Sequence, residues 1–234
     1  MKSGRTILIA GSRRGIGRAL AGHYADRGHA VIGLSRGEAD LVHEGYRHIV
    51  CDVTDEKRVQ EVFGEIAPQG QATDVVIYCA GLKIDSYALL TGGGQAESML
   101  RTNLLGAFLV TRQAARLMKR HRFGRFVYLT SIAVPLGSAG TVMYGASKAG
   151  LEQMAFALSR EFPKDNITFN CLGISVYPST MVEEIDEKSL EAARKLLVKP
   201  DALQVEEIAG AVDFFASDAA RQITGQTLYF GGVR

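Results

Sequence analysis

Thr6-Ile-Leu-Ile-Ala10-Gly11-Ser12-Arg13-Arg14-Gly15-Ile16-Gly17 carries a short apolar run into a turn with three glycines and out into a stretch of helical periodicity. A strand, a glycine turn and a helix in that order form the opening of a dinucleotide-binding unit. Gly11 can make the tight turn, Gly15 lets backbone approach a pyrophosphate, and Gly17 permits close packing of the helix, whose N-terminal amides face the phosphates. Ser12, Arg13, Arg14 and Ile16 complete the turn and are expected to line the cofactor. The spacing is Gly-x-x-x-Gly-x-Gly, not the commoner Gly-x-Gly-x-x-Gly, and a plain glycine-rich turn without a ligand is the alternative.

Outward from this unit the chain repeats the pattern. Residues 6–10, 30–34, 48–51, 74–79, 125–130, 167–172 and 227–230 are short runs rich in Ile, Val, Phe and Tyr and read as strands. Residues 16–27, 56–66, 96–122, 144–162 and 205–216 have helical periodicity. Alternation of this kind predicts an α/β fold: a single-domain, doubly wound, mostly parallel seven-stranded sheet over 1–234, with helices on both faces. About ten residues link the second strand to Tyr46, so the helix there is expected to be truncated.

Composition narrows the function classes. The 234 residues carry a formal charge of +2, and basic residues cluster only between Arg112 and Arg125, which gives no continuous positive face for duplex nucleic acid. Cys51, Cys79 and Cys171 stand apart in apolar runs, as buried free thiols do, and point to a reducing cytoplasm. The residues before Gly11 are too few for a signal-peptide core or a membrane span, so a soluble, unprocessed protein is expected. Histidines and carboxylates lack ligand spacing, and no metal is expected.

At the end of the second strand, where an acidic side chain would accept the adenosine ribose hydroxyls, the chain reads Gly33-Leu34-Ser35-Arg36. Arg36 with Arg13 and Arg14 would instead face a 2′-phosphate, which predicts NADP as cofactor, unless these arginines are ordinary solvated charges. Further along, Tyr144-Gly-Ala-Ser-Lys148 places a phenol and an ammonium on one helical face, with Ser131 thirteen residues upstream and Asn103 earlier still. A lone Tyr-x-x-x-Lys arises readily by chance, and the weight of this one comes from its context. Reduction of a ketone needs hydride at carbon and an acid beside the oxygen. Tyr144 fits that acid, and a neighbouring ammonium at Lys148 would favour its charged form and lower its pKa.

These residues resemble the classical short-chain dehydrogenase/reductases, and within them the 3-oxoacyl-acyl-carrier-protein reductases. The likeness rests on Gly11, Gly15 and Gly17; Cys51-Asp52-Val53; Ala80-Gly81; Asn103; Ser131; Tyr144 with Lys148; and Ile223-Thr-Gly-Gln-Thr-Leu. The resemblance implies that Asp52 and Val53 hold the adenine, that Cys79, Ala80 and Gly81 contact the cofactor by backbone, and that Lys148 grips the nicotinamide ribose. It implies that Asn103 holds a water in a proton relay and that Ser131 bonds the substrate oxygen. Asp52 could instead cap the helix beginning near Asp55, with Thr54 better placed for that role; Asn103 could be a packed polar residue and Ser131 a turn residue.

The chain departs from the family where Tyr78-Cys79 replaces Asn-Asn, where Leu172-Gly173 replaces Pro-Gly, and where Tyr177 stands for a threonine. Gly173 and Ser175, or the displaced Thr180, are the candidates for the nicotinamide carboxamide, and the segment of about 174–200 is expected to close over substrate. The surrounding stretches are mostly apolar, which suits a small or acyl-chain carbonyl. The basic residues at 112–125 read either as a docking edge for an acyl carrier protein or as cations favoured by a helix C-terminus. Leu151, Met154, Phe156, Ala157 and Leu158 make one helix apolar on more than one face, which predicts a homodimer or homotetramer. The expected activity is NADPH-dependent reduction of a ketone, best a 3-oxoacyl thioester. The alternatives are a ketoreductase or secondary-alcohol dehydrogenase of a specialised pathway and a non-catalytic NADP-binding sensor. The complete Asn103, Ser131, Tyr144 and Lys148 set argues against the last.

Overall fold

The computed structural model describes residues 1, 4–67, 73–178, 191 and 194–233. Its strands are β1 (Thr6–Ala10), β2 (Ala30–Ser35), β3 (Tyr46–Val50), β4 (Val75–Tyr78), β5 (Gly124–Ser131), β6 (Ile167–Ile174) and β7 (Thr227–Tyr229). Its helices are α1 (Gly15–Ala25), α2 (Glu56–Ile66), α3 (Gly93–Leu100), α4 (Gly106–His121), α5 (Ala133–Leu136), α6 (Val142–Glu161) and α7 (Val205–Ala216). The strands form one sheet in the order β3-β2-β1-β4-β5-β6-β7, every pair parallel, as the alternation predicted.

Strand register sorts the core into two layers. Leu8, Ala10, Ile32, Leu34, Val76 and Tyr78 point to the face covered by α2, α4 and α6, while Ile7, Ile9, Val31, Val75 and Ile77 point to the face covered by α1 and α7. Being buried on both sides, β4 reads as a continuous apolar run, and β6 is buried along its whole length although it carries Thr168 and Asn170. Each such Ile, Val or Leu contributes roughly 1.5–3 kcal/mol by leaving water, and the layers together fix which strand ends meet. Strand order reverses between β1 and β4, which opens a crevice at the carboxyl ends of the strands.

Three local expectations are corrected. Between Ser35 and Tyr46 there is no helix at all; Arg18 Nε reaches from α1 to Asp40 (2.7 Å) across this connection. The periodic stretch 96–122 is not one helix, because a π-helical segment at Arg101–Leu105 separates α3 from α4, with the Gly106 N–H bonded back to the Arg101 carbonyl. The cap of α2 is Asp55, whose carboxylate accepts from the Arg58 N–H (3.1 Å), and not Thr54 or Asp52. Asp52 makes its own turn, accepting from the Thr54 N–H and hydroxyl at 2.9 Å each.

Candidate active site

The glycine turn is fixed by its backbone. Gly11 sits at φ +89° and Gly15 at φ +58°, left-handed positions that other residues adopt only with strain. A Cβ on Gly11 would also lie 2.6 Å from the Ala80 nitrogen, so the ends of β1 and β4 can approach only because the side chain is missing. Gly11 N–H bonds the Leu34 carbonyl (2.7 Å) and Cys79 N–H bonds Ala10 (2.8 Å), which ties the turn to β2 and β4. Around it opens a cleft of about 1240 Å³.

Most of the expected cofactor residues line this cleft: Gly11, Arg13, Arg14, Gly15, Ile16, Gly17, Ser35, Arg36, Asp52, Val53, Cys79, Ala80, Gly81 and Ser175. The three arginines are exposed there. Ser175 Oγ is buried with no hydrogen-bond partner among the described residues, an open polar atom on the cleft wall. Tyr177 lines the same wall, whereas Thr180 lies outside the described residues, as do 179–190, 192 and 193 of the expected closing segment.

Two expected cofactor residues are placed otherwise. Ser12 is fully buried, its Oγ 3.0 Å from the Tyr46 hydroxyl, so its side chain supports the turn from beneath. Gly173 packs its Cα against the Tyr229 ring, where any Cβ would clash, and it does not border the cleft. Cys79, expected to be buried, is a half-buried free thiol on the cleft wall, and its surroundings push its pKa up to about 12, chiefly by desolvation.

Sequence reading missed a polar network under the cofactor end. The Tyr46 hydroxyl lies 2.8 Å from His48 Nδ1, and His48 Nε2 lies 2.9 Å from the Gly37 carbonyl, which also accepts from Ser35 Oγ (2.8 Å). Together with Ser12, these side chains hold the Ser35-Arg36-Gly37 turn where no helix supports it. Alternation of Tyr46 and His48 onto one face of β3 was the available signal.

The second half of the cleft brings Ser131, Tyr144 and Lys148 together at its wall. Ser131 ends β5 and accepts from the Ala133 N–H (3.1 Å), which orients its hydroxyl. Tyr144 and Lys148 stand one turn apart on α6, both buried, with the ammonium 5.9 Å from the phenol ring centre and donating to the Leu129 carbonyl at 2.7 Å. Burial pushes Tyr144 up to about 12 despite its hydrogen bond with Ser131, and burial pulls Lys148 down to about 8 against the opposing influence of Cys79, Cys171 and Glu152. The expected lowering of the Tyr144 pKa is therefore not what the protein alone produces; desolvation, with the Asp85 carboxylate adding to it, outweighs the Ser131 hydrogen bond.

Asn103 is buried behind this wall and does not border the cleft. Its Nδ2 donates to the Leu82 carbonyl (2.9 Å) and to Ser147 Oγ (2.8 Å), and its Oδ1 accepts from the Leu82 N–H (2.7 Å). The side chain expected to hold a water is thus occupied in clamping the loop after β4 onto α6. The π-helical segment presents it, and Tyr78 supports that segment by donating to the Thr102 carbonyl at 2.6 Å, close to Gly106, where a Cβ would sit 2.6 Å from the Tyr78 hydroxyl.

The basic cluster at 112–125 is partly tied up by neighbours, while Arg116, Lys119, Arg120 and Arg122 are exposed. Arg125 is buried in β5, Arg112 pairs with Glu56, Lys119 pairs with Asp165 at 3.8 Å and Arg122 donates to the Lys164 carbonyl at 3.3 Å. Among the described residues no group of three His, Cys, Asp or Glu could hold a metal ion, and no helix is long and apolar enough to cross a membrane.

Known proteins show the same plan. A family model described as Enoyl-(Acyl carrier protein) reductase matches residues 10–232. The chain is 32% identical over 228 residues to the 3-oxoacyl-[acyl-carrier-protein] reductase MabA of Mycobacterium bovis, covering 97% of this chain and 92% of the relative. It is 29% identical over 235 residues to the 3-oxoacyl-[acyl-carrier-protein] reductase FabG of Escherichia coli K12, covering 98% and 96%. The crystal structure of gox2181 superposes with a TM-score of 0.89 at 27% identity, over 97% of this chain and 94% of that one. With a glycine turn and a Tyr-x-x-x-Lys helix meeting in one cleft and matches running nearly end to end, the chain belongs to the short-chain dehydrogenase/reductase family and is an oxidoreductase.

Proposed function

We propose that this oxidoreductase is an NADPH-dependent reductase that converts a 3-oxoacyl thioester to its 3-hydroxy form, with Tyr144 as the acid. The observation carrying this reading is that Tyr144, hydrogen-bonded to Ser131, and Lys148 border the same cleft as the glycine turn. The cleft suits a phosphorylated dinucleotide: left-handed glycines leave room for backbone approach to phosphate, Arg13, Arg14 and Arg36 offer guanidinium groups at the adenosine end, and Ser175 offers an unpartnered hydroxyl further along. When bound, the reduced nicotinamide supplies the hydride.

The chain's own residues do the rest. Asp52 and Val53 border the adenine end, and Cys79, Ala80 and Gly81 offer backbone to the cofactor. Ser131 holds the substrate oxygen as a fixed dipole. Tyr144 gives its proton to that oxygen as the carbon is reduced, so the products are the alcohol and the oxidised cofactor. A phenol held near 12 is an unwilling donor of its resting proton but matches the strongly basic alkoxide-like oxygen that forms, and Lys148 supplies the positive charge that tolerates the phenolate left behind. Asn103 acts by clamping Leu82 and Ser147, which sets the two walls of the cleft.

Both relatives are named for reduction of 3-oxoacyl groups on acyl carrier protein, and an acyl thioester on a carrier is the form proposed here as well. The chain acts as a homodimer or homotetramer through α4 and α6, where Phe108 and Phe156 remain about two-fifths exposed. Reduced-nicotinamide absorbance followed with a short 3-oxoacyl thioester tests the reading. Consumption with NADPH at least tenfold faster than with NADH supports it. Binding of NADPH without consumption of the thioester removes the acyl substrate, and turn to other ketones then favours the specialised-pathway alternative suggested by Tyr78-Cys79 and Leu172-Gly173.

A further inference from the structure

Loops after β4 and before α6 border the same cleft, and one cation there has no role in the chemistry described so far. Lys83 borders the cleft, its side chain is 14% exposed, and its ammonium lies 5.8 Å from the ring centre of Tyr144. It is not a loosely placed surface lysine. The preceding residue, Leu82, is held by both backbone groups to the Asn103 side chain at 2.7 and 2.9 Å. Three residues on, the Ser86 N–H bonds the Gly140 carbonyl of the neighbouring loop at 2.9 Å. Asp85 takes one ammonium donor at 2.6 Å and so holds the side chain in place.

An ammonium has three N–H donors and Asp85 uses one of them, leaving donors beside the residue that protonates the substrate. A pinned cation next to the acid selects for an acceptor in the ligand. We infer that Lys83 binds a second oxygen of the substrate, close to the reacting carbonyl, so that the site takes a 1,3-dicarbonyl compound by two points: Tyr144 on the oxygen that is reduced and Lys83 on the oxygen that is not. This rests on the reading of the cleft given above and deepens it. In a 3-oxoacyl thioester the second oxygen is the thioester carbonyl, two carbons from the ketone. The same wall without Lys83 would accept simple ketones equally well.

Three substrates matched in length separate the possibilities: a 3-oxoacyl thioester, a 1,3-dione and a monoketone, each assayed with the wild type, Lys83→Met and Lys83→Arg. The expected result is a loss on the order of tenfold or more in kcat/KM for the thioester and the dione with Lys83→Met, carried mainly by KM. The monoketone should change less than twofold, NADPH affinity should stay the same, and Lys83→Arg, which keeps a donor, should recover most of the loss. Equal losses on all three substrates would show Lys83 acting on Tyr144 or on the fold and would overturn the inference, as would no loss on any. If the thioester is inert while the dione is preferred to the monoketone and loses that preference in Lys83→Met, the acyl-thioester reading falls and the two-point site stands.

Discussion

The two halves of the cleft are built in different ways. The cofactor half is made from the ends of β1, β2 and β4, central strands whose positions are set by the buried core, and much of its wall is backbone at Gly11, Gly15, Ala80 and Gly81. The substrate half is bordered by the end of β5, by α6 and by the loops after β4 and β6, and its working groups are side chains: Lys83, Ser131, Tyr144 and Tyr177. Backbone walls on a packed sheet tolerate few changes and bind one kind of ligand, whereas side chains on loops can be exchanged while the sheet stays the same. The difference locates cofactor choice in the first half and substrate choice in the second.

Substitutions that separate binding from turnover sharpen this contrast, and the largest effect is expected at Lys148. Lys148→Met should lower turnover on the order of 10²–10⁴-fold. It should also stabilise the fold, because the buried ammonium has its pKa depressed from 10.5 to about 8. Below pH 8 the folded wild type carries the full cost of that buried charge. As pH rises from about 8 to 10.5, the folded lysine loses its proton while the unfolded one keeps it, so the cost is relieved. Relative to the wild type, the variant should therefore be more stable near pH 7 than near pH 10, with the loss of the Leu129 carbonyl's donor subtracting a similar amount at both. Urea unfolding at the two pH values checks this; a gap that does not shrink would mean that the folded lysine does not have a depressed pKa.

In the cofactor half, Arg36→Ala should weaken NADPH by roughly tenfold to a hundredfold and leave NADH within about twofold, which corresponds to one charge-assisted pair. Equal losses for both cofactors would reduce Arg36 to a general surface charge. A smaller effect is expected one layer deeper. His48→Leu removes one of the two side chains bonded to the Gly37 carbonyl and should raise the KM for NADPH by roughly fivefold at unchanged kcat, while His48→Gln should recover part of the loss. Titration of both variants with the two cofactors measures these effects.

How far the sequence revealed this arrangement follows the same division. The β1-turn-α1 unit was legible because its requirement is a backbone one, and glycine is the residue that meets it at φ +89° and +58°. Tyr144 and Lys148 were legible because helical spacing puts them on one face and the glycine turn and Ser131 give that pair its context. The break in 96–122 was not, since its cause is tertiary: the periodicity continues unbroken, and the interruption sits where the Tyr78 hydroxyl from the sheet takes the Thr102 carbonyl and Gly106 lets that ring come close. Gly173 lies away from the cleft for a similar reason. A glycine after a strand suggests a cofactor contact, yet its empty side is filled by the Tyr229 ring from β7, more than fifty residues away in the chain. Lys83 left no signal in periodicity or motif, because its importance depends on Asn103 clamping the residue before it.

The central claim is that one cleft holds the cofactor by backbone and arginines and performs the chemistry through Tyr144. Tyr144→Phe tests it most directly, with NADPH binding followed by titration and turnover of a 3-oxoacyl thioester followed in the same preparation. The account predicts an NADPH affinity within about twofold of wild type and a turnover lower by about 10³-fold. Turnover within a few-fold of wild type would contradict it, since the proton would then come from another group.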